Sequence, residues 1–593
     1  MRSKKLMGLT LAALLSMTTF AGCGSNNAGK NSDSDSGTNS GTNSGTNSDS
    51  DSKDESGSKP EMDAVQEIFV PGDDYVTLDP QRSGAVPDWG AQRPVCEGLI
   101  RYVATEDSGA EVKPGVAKEW TISDDGLVYT FKIREDAKWA DGTPLTANDF
   151  VYTYQRVFNP EVAADYAWLI QDIVKNGTKA VNGEVPLEEI GVKALDDHTL
   201  EITLEAPCAY FLGLTGFPTY APVKKEVVEK YGDQYGTAAD KVLGNGPFMF
   251  ESADPKTGIT YVKNPNYWNA EEVYLTKIVR NRMEKEVAYN ALMTKELDMA
   301  GVSDPNWVSQ LSTLDYLDRY ENKNAGSEFL MFNCENEYLK NEKVRQALSI
   351  AFDRGKYNQD LIDGNGFELY SMCSPSVSIA TNNGEVLFSD FSKGENAYVK
   401  IMKDTMGDPV ALLKEGLKEL GKPEDPSQVT LEFTTRGTNE IAKNQAEWIK
   451  QMYKETLGIN IEIKLTEWNI MWDEVEAGNY DIASGGWTAD YNDPSTFIDI
   501  FHTKAGYYNE KRTKWSGEAA EKFNTLIDEA KTCTDLDKRA QLYVDAEKIL
   551  LESAVITPTY DDLSQGFRAK YVKNWNSNPF VYRDYVGVYI QGK

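Results

Sequence analysis

An α/β fold is predicted for the body of this chain from two observations. Segments with apolar residues at helical spacing follow segments that alternate apolar and polar residues. In the second half the two kinds succeed one another regularly, as they do when helices connect the strands of a sheet. The body shows no internal repeat, and no second apolar run approaches membrane length.

The elements follow in order. Val128-Tyr129-Thr130-Phe131-Lys132-Ile133-Arg134 alternates as a half-buried strand, and so does Thr199-Leu200-Glu201-Ile202-Thr203-Leu204. Between them, residues 146–158 read as a helix with Thr146 as N-cap and Asp149 three residues on, the pattern of a capping box. In 341–354 the apolar residues 344, 347, 348, 351 and 352 form one helical face. Residues 441–456 form a helix stopped near Gly458, and 459–465 alternate as a strand. Tyr480-Asp481-Ile482-Ala483-Ser484 is strand-like, and 537–552 is a further amphipathic helix.

The N-terminus addresses the chain to a membrane surface. Arg2, Lys4 and Lys5 precede an apolar run, 6–20, of signal-peptide length, which ends in Phe20-Ala21-Gly22-Cys23. Small residues before a cysteine resemble a lipobox, in which the cysteine is acylated and becomes the mature N-terminus. Residues 1–22 are expected to be the signal and Cys23 the lipidation site. Residues 23–60 are almost wholly Ser, Asn, Asp, Gly, Thr and Lys, with nothing to bury, and should act as a tether. A lipid, a leash and a folded body suit the outer face of a single-membrane cell of Gram-positive type.

Composition excludes several classes. The 593 residues carry 61 basic and 93 acidic side chains, a formal charge of −32. That balance disfavours nucleic acid and direct adhesion to anionic lipid. Cys23, Cys96, Cys208, Cys334, Cys373 and Cys533 show no Cys-x-x-Cys spacing; the last five are an odd number, so they cannot all pair with one another. The two histidines, His198 in a turn and His502 in a polar segment, have no second histidine nearby, so a histidine-rich metal site is excluded. Phosphate-binding Walker loops, Gly-x-Ser-x-Gly elbows and His-Glu-x-x-His helices are absent. With 12 Trp, 31 Tyr and 21 Phe, aromatic-lined binding surfaces are easily built, although most such rings serve cores.

One segment suggests a ligand site. Gly485-Gly486-Trp487-Thr488-Ala489-Asp490-Tyr491-Asn492-Asp493-Pro494 follows the strand-like run. Glycines let a backbone lie close to a ligand. Trp487 offers a wall, and Asp490 supplies a charge for a cationic end. An aspartate in such a loop is more often a turn former.

Together with that segment, many short motifs in the right order resemble the extracellular peptide-binding proteins of ABC importers, family 5 of the solute-binding proteins. They include Thr77-Leu78-Asp79-Pro80 and Cys96-Glu97-Gly98-Leu99. Pro114-Gly115-Val116-Ala117-Lys118-Glu119-Trp120 and Trp139-Ala140-Asp141-Gly142-Thr143-Pro144-Leu145-Thr146 form the densest part. Gly191-Val192-Lys193-Ala194-Leu195-Asp196-Asp197-His198-Thr199, Asn264-Pro265-Asn266-Tyr267-Trp268, Val344-Arg345-Gln346-Ala347-Leu348 and Gly486-Trp487-Thr488-Ala489-Asp490-Tyr491 match as well.

The resemblance implies a two-lobed clamshell of the type II periplasmic-binding-protein kind with an extra α+β domain. Lobe I would comprise 61–109, 244–324 and 555–593, the extra domain 110–243, and lobe III 325–554. It implies a binding protein and not an enzyme: a monomer without cofactor or metal that hands oligopeptides to permease and ATPase subunits and meets the membrane only through its lipid. Asp490 would pair with the peptide's α-ammonium. Gly486, Trp487 and Thr488 would pair with its backbone, and Val86 would offer backbone from lobe I. Three positions depart from the family. Ser484 stands where members carry Arg, Ala442 where some carry His, and Gly84 where some carry an acid. The far end of a peptide is therefore expected to lack a dedicated cation. The alternatives are another solute on the same scaffold (a nickel chelate, haem or oligosaccharide), a pheromone-type receptor, or a surface hydrolase.

Overall fold

Three larger sheets organise the body. The computed structural model describes residues 60–593 apart from 73, 105–109, 303, 363–365, 395–396, 505–507, 576–579 and 581–583. The expected signal, most of the tether and Cys23 lie outside the described residues.

The first sheet runs Glu67–Gly72, Lys277–Arg282, Gly258–Lys263, Phe248–Asp254, with the first pair parallel and the others antiparallel. Alternation does the sorting. Ile68 and Val70 turn inward, and Ile278, Tyr261 and Phe248 meet them in one core. Val588 and Ile590 close the same core, so the two ends of the body meet there.

The second sheet, Ala117–Ile122, Val128–Ile133, Thr199–Thr203, Val192–Asp196, is antiparallel throughout. Helix Ala147–Phe158 covers it and buries Phe150, Tyr154, Val157 and Phe158 almost completely. Each such side chain contributes about 1.5–3 kcal/mol on leaving water. The expected cap is present: the Asp149 carboxylate accepts from the Thr146 backbone N–H at 2.7 Å and from its hydroxyl at 3.2 Å.

The third sheet has eight strands. Its main path is Met299–Gly301, Ile556–Ala569, Gly326–Phe332, Ile482–Thr488, Thr430–Thr434, Asn460–Lys464. The last three run parallel to one another, as the helix–strand alternation predicts, and Gly326–Phe332 is antiparallel to them. Helix Glu440–Thr456 ends just before Gly458, whose φ of +78° suits a residue without Cβ. Helix Leu536–Glu552 matches its expected bounds to one residue, whereas Glu342–Ala351 stops three residues short of 354, where Asp353 caps a separate helix, Arg354–Leu361.

Strand Ile556–Ala569 does more than close a sheet. Its first residues pair with Gly326–Phe332 and its last with Leu317–Lys323. Val555 and Ile556 pack in one core, and Phe567 and Ala569 in another. The chain therefore passes between two cores twice, once at Asn324–Ala325 and once along this strand.

His502 departs from its expected polar setting. It is 4% exposed, with Nε2 3.3 Å from Asp528 Oδ1, and burial holds its pKa below the usual value. Cys96, Cys208, Cys334, Cys373 and Cys533 are free thiols.

Candidate functional site

The glycine-rich segment is strand and not loop. Strand Ile482–Thr488 continues through Gly485-Gly486-Trp487-Thr488 because Gly326–Phe332 pairs with it along its whole length. On the other side, Thr430–Thr434 pairs only as far as Ala483. From Ser484 onward, no strand is paired on that edge among the described residues. The Ala489 N–H donates to the Ala325 carbonyl at 2.8 Å. In an antiparallel ladder the direction of the amides alternates. Trp487 and Gly485 therefore face Gly326–Phe332, while Gly486 and Thr488 direct theirs to the open edge. There the Gly486 carbonyl accepts from the Tyr508 hydroxyl at 3.0 Å.

Asp490 stands at the end of this edge. The loop that carries it is pinned from below. Arg539 grips Asp493 with two hydrogen bonds of 2.9 and 2.8 Å, both side chains being at most 4% exposed. Asp493 also accepts from the Ser495 N–H and hydroxyl at 3.0 and 2.7 Å. The Thr496 hydroxyl accepts from the Asp490 N–H at 3.1 Å and from the Trp487 indole at 3.4 Å. The Asp490 backbone is thus held, while its side-chain Oδ2 is shut off from solvent with no hydrogen-bond partner. Burial alone pushes this carboxyl from 3.8 up to about 7.

The covering residues come from the second sheet's neighbourhood. Tyr210 stacks on Tyr491 at 4.8 Å, and Trp168 lies 6.5 Å from Trp487. Asp490, Asp172, Asp499, Lys531, Trp168 and Tyr210 share a cavity of about 130 Å³. Lys531 and Asp499 approach to 3.5 Å; burial raises the Asp499 carboxyl, and the Asp499 charge raises the Lys531 ammonium.

The structure gives the two glycines a reason other than ligand approach. A Cβ on Gly485 would lie 2.4 Å from the Phe329 ring. A Cβ on Gly486 would lie 2.5 Å from Glu328 Oε1 and 2.9 Å from Arg436 Nη1. Glu328 and Arg436 form an ion pair, each about one quarter exposed, lying over that face of the strand. Arg436 also leans on Trp468, its guanidinium carbon 5.8 Å from the ring centre.

Val86 opens helix Val86–Gln92 and is 39% exposed. Its helix reaches the strand through rings. Trp89 packs on Tyr166 at 4.7 Å, Tyr166 on Trp168 at 5.4 Å, and Trp168 faces Trp487. At Gly84 an acid arrives from elsewhere: a Cβ there would lie 3.1 Å from Asp165 Oδ2. Ser484 lines a small pocket together with Arg436 and Glu328. Ala442, 8% exposed, lies in the first turn of Glu440–Thr456, where its N–H is capped by Asn439. Asp165, Tyr210, Glu328, Arg436, Tyr508 and Arg539 escape sequence reasoning, because nothing local distinguishes them from the chain's other acids, bases and tyrosines.

A chain that crosses twice between two cores, with an open strand edge and a buried carboxylate beside the crossing, has the build of a two-lobed solute-binding protein. It belongs to the bacterial extracellular solute-binding proteins, family 5, whose middle-region model matches residues 111–509. The oligopeptide-binding protein OppA of Bacillus subtilis is 31% identical over 483 residues, covering 79% of this chain and 83% of that protein. Two solved structures superpose closely. The Haemophilus influenzae OppA complex with RPPGFSPFR has a TM-score of 0.73 at 26% identity, covering 89% of this chain and 100% of that one. Listeria monocytogenes OppA bound to peptide has a TM-score of 0.72 at 28% identity, covering 90% and 100%. These neighbours share the two-lobed α/β clamshell expected from the sequence.

Proposed function

We propose that this chain captures oligopeptides in the cleft beside Gly486–Asp490 and delivers them to the permease and ATPase subunits of an ABC importer. The observation that carries the reading is the half-buried Asp490 at the end of an open strand edge, its Oδ2 shut off from solvent without a hydrogen-bond partner. An extended peptide adds to such an edge by backbone hydrogen bonds, and its α-ammonium meets the carboxylate. Gly486 and Thr488 supply edge amides, Trp487 a wall, and Val86 backbone from the facing lobe. The peptide-bound relatives support the same ligand class.

In this reading lobe I is 61–109, 244–324 and 555–593, the extra domain is 110–243, and lobe III is 325–554. The protein works as a monomer without cofactor or metal, performs no chemistry and meets no nucleic acid. Acylated Cys23 holds it to the outer face of the cell membrane, with 23–60 as the leash.

Mass spectrometry of whatever the purified protein releases on denaturation tests the ligand class. Peptides of mixed sequence are expected; a single non-peptide solute in stoichiometric amount would overturn the reading. Loss of peptide uptake on deletion separates an importer component from a receptor.

A further inference from the structure

We propose that Glu328 is a built-in competitor for the carboxylate end of the bound peptide. Arg436 stands in the peptide's path, but through Glu328 the site is indifferent to a free C-terminus. The proposal rests on the peptide reading above.

The strand register places Arg436 in that path. Thr430–Thr434 occupies the edge of Ile482–Thr488 only as far as Ala483, and Arg436 follows two residues after that strand ends. A peptide laid on the same edge from Asp490 toward Ser484 shares the track of Thr430–Thr434 and runs end-on into Thr435 and Arg436. With its ammonium at Asp490, its C-terminus is the end that arrives. Asp490 to Gly486 spans about 14 Å at ~3.4 Å per residue, the length of a tri- or tetrapeptide.

At that point the chain already supplies a carboxylate. Arg436 Nη1 donates to Glu328 Oε1 at 3.4 Å, and Nη2 makes a closer contact to Oε2. Glu328 is opposite Gly486 in the register, and the missing Cβ at Gly486 is what lets the pair lie over the strand. A guanidinium fork binds one carboxylate in bidentate fashion. An incoming peptide carboxylate therefore exchanges with Glu328 or shares its partner, and gains only the difference between two like interactions. Glu328 is tethered at high effective concentration, which favours it further. A guanidinium without this competitor would reward a free carboxylate with a charge-assisted pair.

The test is calorimetry on matched tripeptide acids and amides with the full chain, its Glu328→Gln variant and the Glu328→Gln/Arg436→Gln double variant. In the unmodified protein the acid should exceed the amide by less than about threefold. In Glu328→Gln the acid should gain about tenfold or more, the scale of a freed charge-assisted pair. The double variant should return the ratio to near one. A hexapeptide must turn off the edge before Thr435, which carries its carboxylate away from the pair, and should show no acid preference in any form. An unchanged ratio in Glu328→Gln would overturn the proposal, as would a tenfold ratio in the unmodified protein. A ratio that rises equally for the hexapeptide would also overturn it, since that reports a general field and not a contact. Failure of the peptide reading is distinguishable: the unmodified protein would then bind neither tripeptide, or bind its N-acetylated form equally well.

Discussion

Replacing Asp490 by Asn should separate peptides by their amino end. Raising the carboxyl from 3.8 to about 7 corresponds to about 4 kcal/mol of disfavoured ionisation, at about 1.4 kcal/mol per pH unit. Opening the cleft hydrates the group and relieves part of that, so the figure is a ceiling. A ligand ammonium restores the ionised form, and losing one partner of such a pair costs about 2–5 kcal/mol, some 30- to several-thousandfold in affinity. The variant should lose free-amine peptides by that factor and bind N-acetylated ones little changed. Proton linkage gives a second readout. At pH 6 a carboxyl held near 7 is mostly protonated and the peptide amine already charged, so binding should release a fraction of a proton, at most about 0.9. Calorimetry in two buffers of different ionisation enthalpy counts it. Affinity should rise with pH through about 7 and fall again as the peptide amine, with a pKa of about 8, loses its charge. Stability moves the opposite way. The native state keeps a proton that the unfolded chain sheds near 3.8, so Asp490 lowers stability as pH rises from about 4 to about 7, with a constant cost above. The ligand-free Asn variant should therefore be the more stable form at pH 8. Equal affinity of the two proteins for a free-amine peptide, or no proton release at pH 6, would refute the assignment.

Three further outcomes follow from other contacts. Arg539→Met leaves Asp493 buried and unpaired and should cost about 3–5 kcal/mol, read as a lowered urea midpoint; adding Asp493→Leu should recover part of it. Gly485→Ala drives a methyl into the Phe329 ring and should cost about 1–3 kcal/mol, with Phe329→Leu in the same chain relieving it. Cys23→Ala should move the protein from the membrane fraction to the medium, read by immunoblot of the two fractions.

Local periodicity carried much of the architecture. The helix capped by Thr146 and Asp149 and the helix ended at Gly458 were legible because their causes lie within a few residues. The parallel strands Thr430–Thr434 and Asn460–Lys464 follow from the same kind of evidence, helices and strands in alternation. Strand Ile482–Thr488 was half legible. Its apolar beginning reads as strand, but from Gly485 the segment reads as a ligand-approaching loop, because glycine's preference is local and the pairing with Gly326–Phe332 is not.

By itself the sequence determined the element types, the mixed α/β class and the place of Asp490 just after the strand that carries Trp487. Tertiary structure alone decided what those residues experience. Asp490 is half-buried in a cavity that Trp168 and Tyr210 also line, with its Oδ2 shut from solvent, and Asp493 is held by Arg539. His502, in a segment that reads as polar, is buried with its ring against the exposed Asp528. Arg436 came to the open edge from a different strand, already matched to Glu328. Periodicity and capping act through covalent neighbours, which the sequence shows directly. Burial, ion pairing and the space left for a Cβ act between residues tens to hundreds of positions apart, which only the folded chain brings together.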